Sequence, residues 1–186
     1  MAKSSLLNHL YLSCLSKPAH ERIIHREIRR LRARSIVELG VGMGRRSMRM
    51  ISVALRYASD QEIRYTGVDL FEARASSCPG MTLKRAYRIL RECGVKTKLI
   101  PGDPFSALSR NANQLQNTDL VVIGADQDVG SLSKAWFFLP RMMTAQTTVF
   151  LESFDDRHNK LRFHRLQHRE VVKLATFAKH QGQRAA

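Results

Sequence analysis

A glycine-rich turn is the segment of this sequence best suited to chemistry. It reads Glu38-Leu39-Gly40-Val41-Gly42-Met43-Gly44 and is followed by Arg45. Glycines at alternate positions permit a tight turn and let a ligand approach the backbone without a Cβ in the way. A helix that begins near Arg45 would also present its first free N–H groups there. The pattern therefore predicts a backbone-lined site for a nucleotide-like ligand.

The spacing of the turn separates the kinds of nucleotide site that glycine-rich turns form. A phosphate-binding P-loop needs GxxxxGK[ST], but Arg45 stands five residues after Gly40 and no lysine follows. The P-loop is excluded. The dinucleotide fingerprint GxGxxG needs a third glycine where Arg45 stands, so a nicotinamide-type site is disfavoured. A glycine-rich turn with no ligand is the other alternative.

Two acidic residues follow the turn, each at the end of an apolar segment. Asp69 ends residues 63–69 and comes 29 residues after Gly40. Its carboxylate can accept two hydroxyl hydrogen bonds at once, which suits a ribose diol. Asp103 follows residues 99–102 and precedes Pro104. It can cap the next helix, contact a ligand, or do both.

The elements that must position these residues alternate between strand and helix. Strands are predicted at residues 35–39, 63–68, 97–101, 119–124 and 147–152, and helices at 45–58, 82–93, 104–115 and 131–143. The first and fourth strands are almost continuously apolar, as expected for parallel strands covered on both faces. The pattern predicts a doubly wound, mostly parallel α/β sheet. Ligands of such sheets bind beyond the carboxyl ends of the strands, where the turn and both acids fall.

The two ends of the chain flank this core. Leu6, Leu7, Leu10 and Leu15 predict a short first helix, and a second is predicted from about Pro18 to Arg34. A short strand with Leu161, Phe163 and Leu166 and a helix over residues 171–178 are predicted after the core. We expect one domain over 1–186, with a basic N-terminal helical cap (1–34), a ligand-binding core (35–152) and a basic C-terminal segment (153–186).

With three strand ends in this order, the chain resembles the class I S-adenosylmethionine-dependent methyltransferases, whose motif I is an acid, an apolar residue and GxGxG. The resemblance covers about residues 35–152. It implies a Rossmann-like fold, methyltransferase activity and S-adenosyl-L-methionine as the cofactor. It also implies that Asp69 binds the ribose hydroxyls and that Asp103 contacts the adenine amino group. The cofactor-binding residues implied by the resemblance are Glu38, Gly40, Gly42, Gly44, Asp69 and Asp103.

The end of the fourth strand bears on the acceptor and on metal dependence. Metal-dependent catechol-type enzymes of this family place a magnesium-binding aspartate there, whereas this chain has Gly124. We therefore expect a metal-independent enzyme. The Asn/Asp-Pro-Pro-Tyr/Phe segment of enzymes that methylate adenine or glutamine nitrogen is also absent, and a small-molecule acceptor is favoured. Asp126 and Asp128 are candidates for the acceptor pocket. No catalytic residue is assigned, and a histidine base would have to come from a flank, for instance His25 or His158.

The charge is concentrated in the flanks. The chain carries a net charge of +15, of which residues 1–34 contribute +6 and residues 157–186 contribute +7. Such flanks can attract a nucleic acid or simply keep the protein soluble. A non-catalytic RNA- or partner-binding protein with this fold is therefore the alternative function. Without a signal-peptide pattern or a run of about 18 apolar residues, a cytoplasmic protein with no membrane span is expected, of undetermined oligomeric state.

Overall fold

The computed structural model describes residues 18–58 and 62–184, with side chains as far as Lys179. The helix predicted around Leu6 and Leu15 lies outside these residues. The described strands are β1 (Ser35–Leu39), β2 (Arg64–Asp69), β3 (Lys96–Pro101), β4 (Thr118–Ile123), β5 (Met143–Asp155) and β6 (Lys160–Leu166). The described α-helices are α1 (Arg22–Leu31), α2 (Arg45–Tyr57), α3 (Leu83–Arg91), α4 (Pro104–Asn111), α5 (Val129–Ala135) and α6 (His168–Arg184).

These strands form one sheet in the order β3-β2-β1-β4-β5-β6. Neighbours from β3 to β5 are parallel, and β6 runs antiparallel to β5. The chain moves outward from β1 to β3 and then returns to the other side of β1 with β4. This reversal places the carboxyl end of β1 at the switch point, where open α/β sheets bind ligands. The predicted doubly wound, mostly parallel sheet is confirmed.

Helices cover both faces of the sheet. One apolar cluster packs α1, α2 and α3 against Ile36 and Leu120, and the other packs α4, α5 and α6 against Val37 and Val121. Consecutive residues of a strand thus face different apolar layers. This two-sided burial explains why β1 and β4 are continuous apolar runs rather than alternating ones.

Several element boundaries differ from the predicted ones for local reasons. The predicted helices 104–115 and 131–143 change into 3-10 turns, Ala112–Gln114 and Trp136–Arg141. Pro140 lies inside the second turn, and a proline cannot donate the backbone hydrogen bond that an α-helix needs. Strand β5 is longer than residues 147–152 at both ends, because Met143 pairs with Thr118 of β4 and residues 153–155 pair with β6. The predicted sixth strand and final helix are both present as β6 and α6.

The described part of the cap is joined to the core by an ion pair and by a hydrogen bond from a hydroxyl group. Glu21 accepts a hydrogen bond from Arg49 on α2, at 2.5 Å, and Glu27 accepts one from Thr148 on β5, at 2.7 Å. Within residues 18–58 and 62–184, no helix combines the length and the apolar character that crossing a bilayer requires.

Candidate cofactor site

The glycine turn connects β1 to α2, as predicted. Its three glycines have positive φ angles, +96° at Gly40, +55° at Gly42 and +70° at Gly44. This left-handed region is strained for residues with a side chain and open to glycine. The Gly44 amide donates to the Val41 carbonyl at 2.9 Å, and α2 begins at the next residue.

The space around the three glycines is not the same. A Cβ on Gly40 would lie 2.5 Å from Gln127 Nε2, and a Cβ on Gly44 would lie 2.5 Å from Met81 Cε. A Cβ on Gly42 would have no atom within 4 Å. Gly40 and Gly44 are therefore packed by the protein itself, whereas the half-buried Gly42 borders open space that a ligand can enter.

Asp69 ends β2 with its carboxylate facing this turn. Its Oδ2 accepts from the Gly42 amide at 2.8 Å, and its Oδ1 accepts from the Phe71 amide at 2.9 Å. Arg74 donates to both oxygens, at 2.5 Å through Nε and 2.6 Å through Nη2. Burial alone would raise the pKa of Asp69, but these hydrogen bonds and the Arg74 charge outweigh it and lower that pKa. The carboxylate is therefore ionised at neutral pH.

Arg74 links the two strand ends on either side of β1. In addition to its bonds to Asp69 at the end of β2, Arg74 donates from Nη1 to Asp126 Oδ2 beyond β4, at 2.7 Å. Asp126 also accepts a hydrogen bond from its neighbour Gln127. Arg74 thus holds Asp126, a candidate from the sequence, close to the turn. Sequence reasoning missed Arg74 itself.

Glu38 lies beneath the turn and is fully buried. Its Oε1 accepts from Arg46 Nε at 2.7 Å, while its Oε2 accepts from Ser47 at 2.6 Å and from the Tyr65 hydroxyl at 2.5 Å. Arg46 in turn donates to the Gly40 carbonyl at 3.0 Å. Burial and the adjacent Glu38 charge raise the pKa of Tyr65 well above its usual value, so the phenol keeps its proton. Both Glu38 oxygens are occupied by the chain's own donors, and this places Glu38 as a support for the turn.

A histidine and a glutamate that sequence reasoning missed lie beside this network. Glu152 on β5 accepts from Arg46 Nη1 at 2.9 Å and from the Ala125 amide at 3.2 Å. Its other oxygen is 2.8 Å from His20 Nε2, and the His20 ring stacks on Phe163. His20 and Glu152 are 132 residues apart, so their pairing has no local sequence signal.

The two histidines that the sequence suggested as bases are placed differently. His25 is fully buried on α1. His158 lies in the turn between β5 and β6, where it pairs with Asp155 at 2.9 Å. The structure does not bring either of them into the network around the glycine turn.

Asp103 and Asp128 both cap helices. Asp103 Oδ1 accepts from the amides of Phe105 and Ser106 at the start of α4 and from the Ser131 hydroxyl on α5. Partial burial would raise the pKa of Asp103, but the hydrogen bonds from Ser106 and Ser131 lower it to about 2. Asp128 accepts from the Ser131 amide at the start of α5. These three hydrogen bonds all end on Oδ1 of Asp103.

No protein-family model matches the chain, and no curated protein matches it either. Solved structures do match. The O-methyltransferase TomG from Streptomyces achromogenes, in complex with S-adenosylmethionine, is 16% identical, with 82% of this chain and 66% of that one covered at a TM-score of 0.53. A putative caffeoyl-CoA O-methyltransferase from Staphylococcus aureus is 14% identical, with 96% and 81% covered at a TM-score of 0.53. An O-methyltransferase from Bacillus cereus, in complex with S-adenosylhomocysteine (SAH), is 13% identical, with 82% and 67% covered at a TM-score of 0.53.

The chain has the fold of the S-adenosylmethionine-dependent methyltransferases. On this methyltransferase fold, the glycine turn, Asp69 and Asp103 stand at the carboxyl ends of β1, β2 and β3. Among the side chains of residues 18–58 and 62–179, no three from His, Cys, Asp or Glu are grouped to hold a metal ion.

Proposed function

We propose that this protein is an S-adenosylmethionine-dependent methyltransferase that acts on a small molecule without a metal ion. The observation that supports the proposal best is the position of Asp69, whose carboxylate faces the open backbone at Gly42. A hydroxyl-binding carboxylate beside a bare backbone at the switch point suits an adenosyl group.

The residues present fit this cofactor. Asp69 would bind the ribose hydroxyls, and Gly42 would let the adenosyl group lie against the backbone. Asp103 uses Oδ1 to cap α4, and its Oδ2 would accept from the adenine amino group. Glu38 would act through Arg46, which holds the Gly40 carbonyl and so fixes the turn.

S-adenosylmethionine, when bound, supplies an electrophilic methyl group that a nucleophile of the acceptor attacks in line. We place the acceptor beyond β4, where Asp126 and Gln127 approach the turn. His20 lies at the same edge, and Glu152 orients its ring. A histidine held by a carboxylate can take the proton of an acceptor hydroxyl, and we propose this role for His20.

Two observations support the remaining parts of the proposal. TomG is an O-methyltransferase involved in tomaymycin synthesis, which supports a small-molecule acceptor for this chain as well. Gly124 in place of an acidic residue at the end of β4 supports metal independence.

The test is a calorimetric titration of the full chain with S-adenosylmethionine, SAH and NADH. We expect micromolar-class binding of the first two and none of NADH. Asp69→Ala should weaken SAH binding by about tenfold or more, or ~1.4 kcal/mol, because the ribose loses its carboxylate. Asp156→Ala removes an exposed carboxylate between β5 and β6 and should leave the affinity unchanged.

Two outcomes would count against the proposal. A wild-type chain that binds neither S-adenosylmethionine nor SAH would overturn it. An Asp69→Ala variant with wild-type affinity would remove Asp69 from the ribose role while leaving the cofactor assignment in place.

A further inference from the structure

The carboxylate assigned to the ribose is already saturated by the protein. A carboxylate offers about four lone-pair sites for hydrogen bonds. Asp69 fills them with the amides of Gly42 and Phe71 and with two nitrogens of Arg74. The amides are fixed by the fold, so the guanidinium of Arg74 is the donor that a ligand can replace.

Arg74 is packed into this position rather than lying on the surface. Its side chain is only 10% exposed, and a Cβ on Gly80 would lie 2.5 Å from Arg74 Cδ. The chain after Arg74 therefore returns over its aliphatic part at Gly80. Residues 75–80 are themselves exposed, which gives the guanidinium a short path to solvent.

The same guanidinium holds the acceptor side of the site. Nε and Nη2 bind Asp69, while Nη1 binds Asp126. One side chain thus connects the ends of β2 and β4 across the end of β1. A group that displaces Arg74 from Asp69 also weakens its hold on Asp126.

We propose that Arg74 competes with the cofactor for Asp69. In a closed state Arg74 binds Asp69, and in an open state Arg74 has left Asp69 so that the ribose hydroxyls can take its place. This inference rests on the proposed function. When the cofactor binds, two charge-assisted hydrogen bonds from Arg74 to Asp69 are replaced by two hydrogen bonds from ribose hydroxyls, and the guanidinium returns to water. Because part of the binding free energy is used to displace Arg74, the closed state lowers the affinity for the cofactor. Release of Asp126 at the same time favours an order in which the cofactor binds before the acceptor.

The size of the effect follows from the fraction of open molecules. The apparent dissociation constant equals the intrinsic one divided by the fraction of molecules competent to bind. If about one molecule in ten is open, removal of the competitor tightens binding by about tenfold.

The test is calorimetric titration of the full chain with SAH. Arg74→Ala should bind about tenfold more tightly than the wild type. Arg110→Ala, which removes an exposed arginine on α4, makes the same change in charge and should bind as the wild type does. Asp126→Asn removes one of the two carboxylates that hold Arg74 and should tighten binding by a smaller factor, about twofold to threefold.

The variants separate the two proposals. If the wild type binds SAH but Arg74→Ala and Asp126→Asn bind equally or more weakly, Arg74 is not a competitor and only this inference fails. If none of the chains binds SAH, the cofactor assignment itself fails and this inference with it. A thermal unfolding scan of Arg74→Ala shows whether it folds, and if it does not, the Asp126→Asn titration alone decides.

Discussion

Gly42 and Gly94 have similar backbone conformations but lie at different places in the fold. Their φ angles are +55° and +75°, and in neither case would a Cβ have an atom within 4 Å. A left-handed alanine costs about 1–2 kcal/mol, so Gly42→Ala and Gly94→Ala should lower the free energy of unfolding by similar amounts. Urea denaturation measures this cost.

The two variants should differ in cofactor binding. A methyl group on Gly42 would intrude into the space proposed for the adenosyl group, and such overpacking costs about 1–3 kcal/mol. SAH affinity should therefore fall about tenfold in Gly42→Ala and stay unchanged in Gly94→Ala, as titration calorimetry would show. Equal affinities in the two variants would mean that the ligand does not lie against Gly42.

Tyr65 and Glu38 form a buried hydrogen bond whose loss should be measurable as stability. The Tyr65 hydroxyl is fully buried and donates to Glu38 Oε2 at 2.5 Å. A hydrogen bond to a charged group contributes about 1.5–3 kcal/mol, so Tyr65→Phe should cost about 2 kcal/mol in urea denaturation. Tyr87→Phe is the matched control, since Tyr87 is 45% exposed, and it should change stability by less than about 0.5 kcal/mol. A cost of similar size in both variants would contradict the role of the Glu38 network.

At the scale of elements, Asp103 ties the start of α4 to α5. Its pKa is about 2 in the folded protein against an ordinary value of 3.8. A lowered carboxyl pKa stabilises the fold above pH 3.8, and the contribution is lost as the pH falls through 2. Asp103→Ala should cost about 1 kcal/mol at pH 6, the usual value of a helix cap, and this difference from wild type should shrink as the pH falls below 3.8.

Urea denaturation at several pH values measures this difference, with Asp156→Ala as a control that should match the wild type throughout. A constant difference between Asp103→Ala and wild type across the acid range would show that the charge of Asp103 is not what stabilises α4. SAH titration of the same variant at pH 7 tests the adenine contact separately.

The elements could be predicted from sequence wherever a local pattern fixes them. Strand β1 has its predicted bounds because a continuous apolar run ends at a glycine turn. The length of β5 could not be predicted, because residues 153–155 extend the strand through pairing with β6. The early ends of α4 and α5 were also missed, since both helices continue as 3-10 turns that keep a similar apolar spacing.

The residues of the candidate site also divide into those with a local sequence signal and those without one. The glycine turn and the acids at the strand ends carry local signals, and the structure brings Asp69 to Gly42. Glu152 and His20 were missed because their partners are distant in sequence, 106 residues for Arg46 with Glu152 and 132 for His20 with Glu152. Arg74 lies only 5 residues from Asp69, but its second partner, Asp126, is 52 residues away. Side-chain pairing across strand ends depends on the folded arrangement rather than on any spacing in the chain.

At the scale of the whole molecule, the charge is distributed unevenly, and residues 18–58 carry most of theirs as arginine at the surface with their glutamates inside. Residues 18–58 hold ten arginines and three glutamates, Glu21, Glu27 and Glu38, and all three glutamates are buried. Each of them also forms an ion pair with an arginine. Residues 18–58 therefore present a positive surface to solvent, and the C-terminal flank adds +7 over residues 157–186.

This charge distribution predicts weak, sequence-independent binding of single-stranded RNA that falls steeply with salt. Each phosphate contact adds about 0.7 to the slope of log affinity against log salt concentration. Replacing two exposed cations of α6, Arg169→Ala with Lys173→Ala, should therefore reduce the slope by about 1.4 if both contact phosphate. The control pair, Arg110→Ala with Lys134→Ala, makes the same change in charge outside the basic flanks. It should leave the slope near its wild-type value.

Fluorescence anisotropy of a labelled RNA between about 50 and 200 mM salt measures these slopes. Equal slopes in the two double variants would show that the basic C-terminal flank is not the contact surface.

Titration in the presence of saturating SAH adds a further test. The site proposed for the cofactor lies at the carboxyl ends of β1 to β3, whereas α6 follows β6, which stands at the other end of the strand order, so RNA affinity should be the same with and without SAH. A change in RNA affinity on adding SAH would instead connect the flank to the methyl-transfer site and favour a nucleic-acid acceptor over a small molecule.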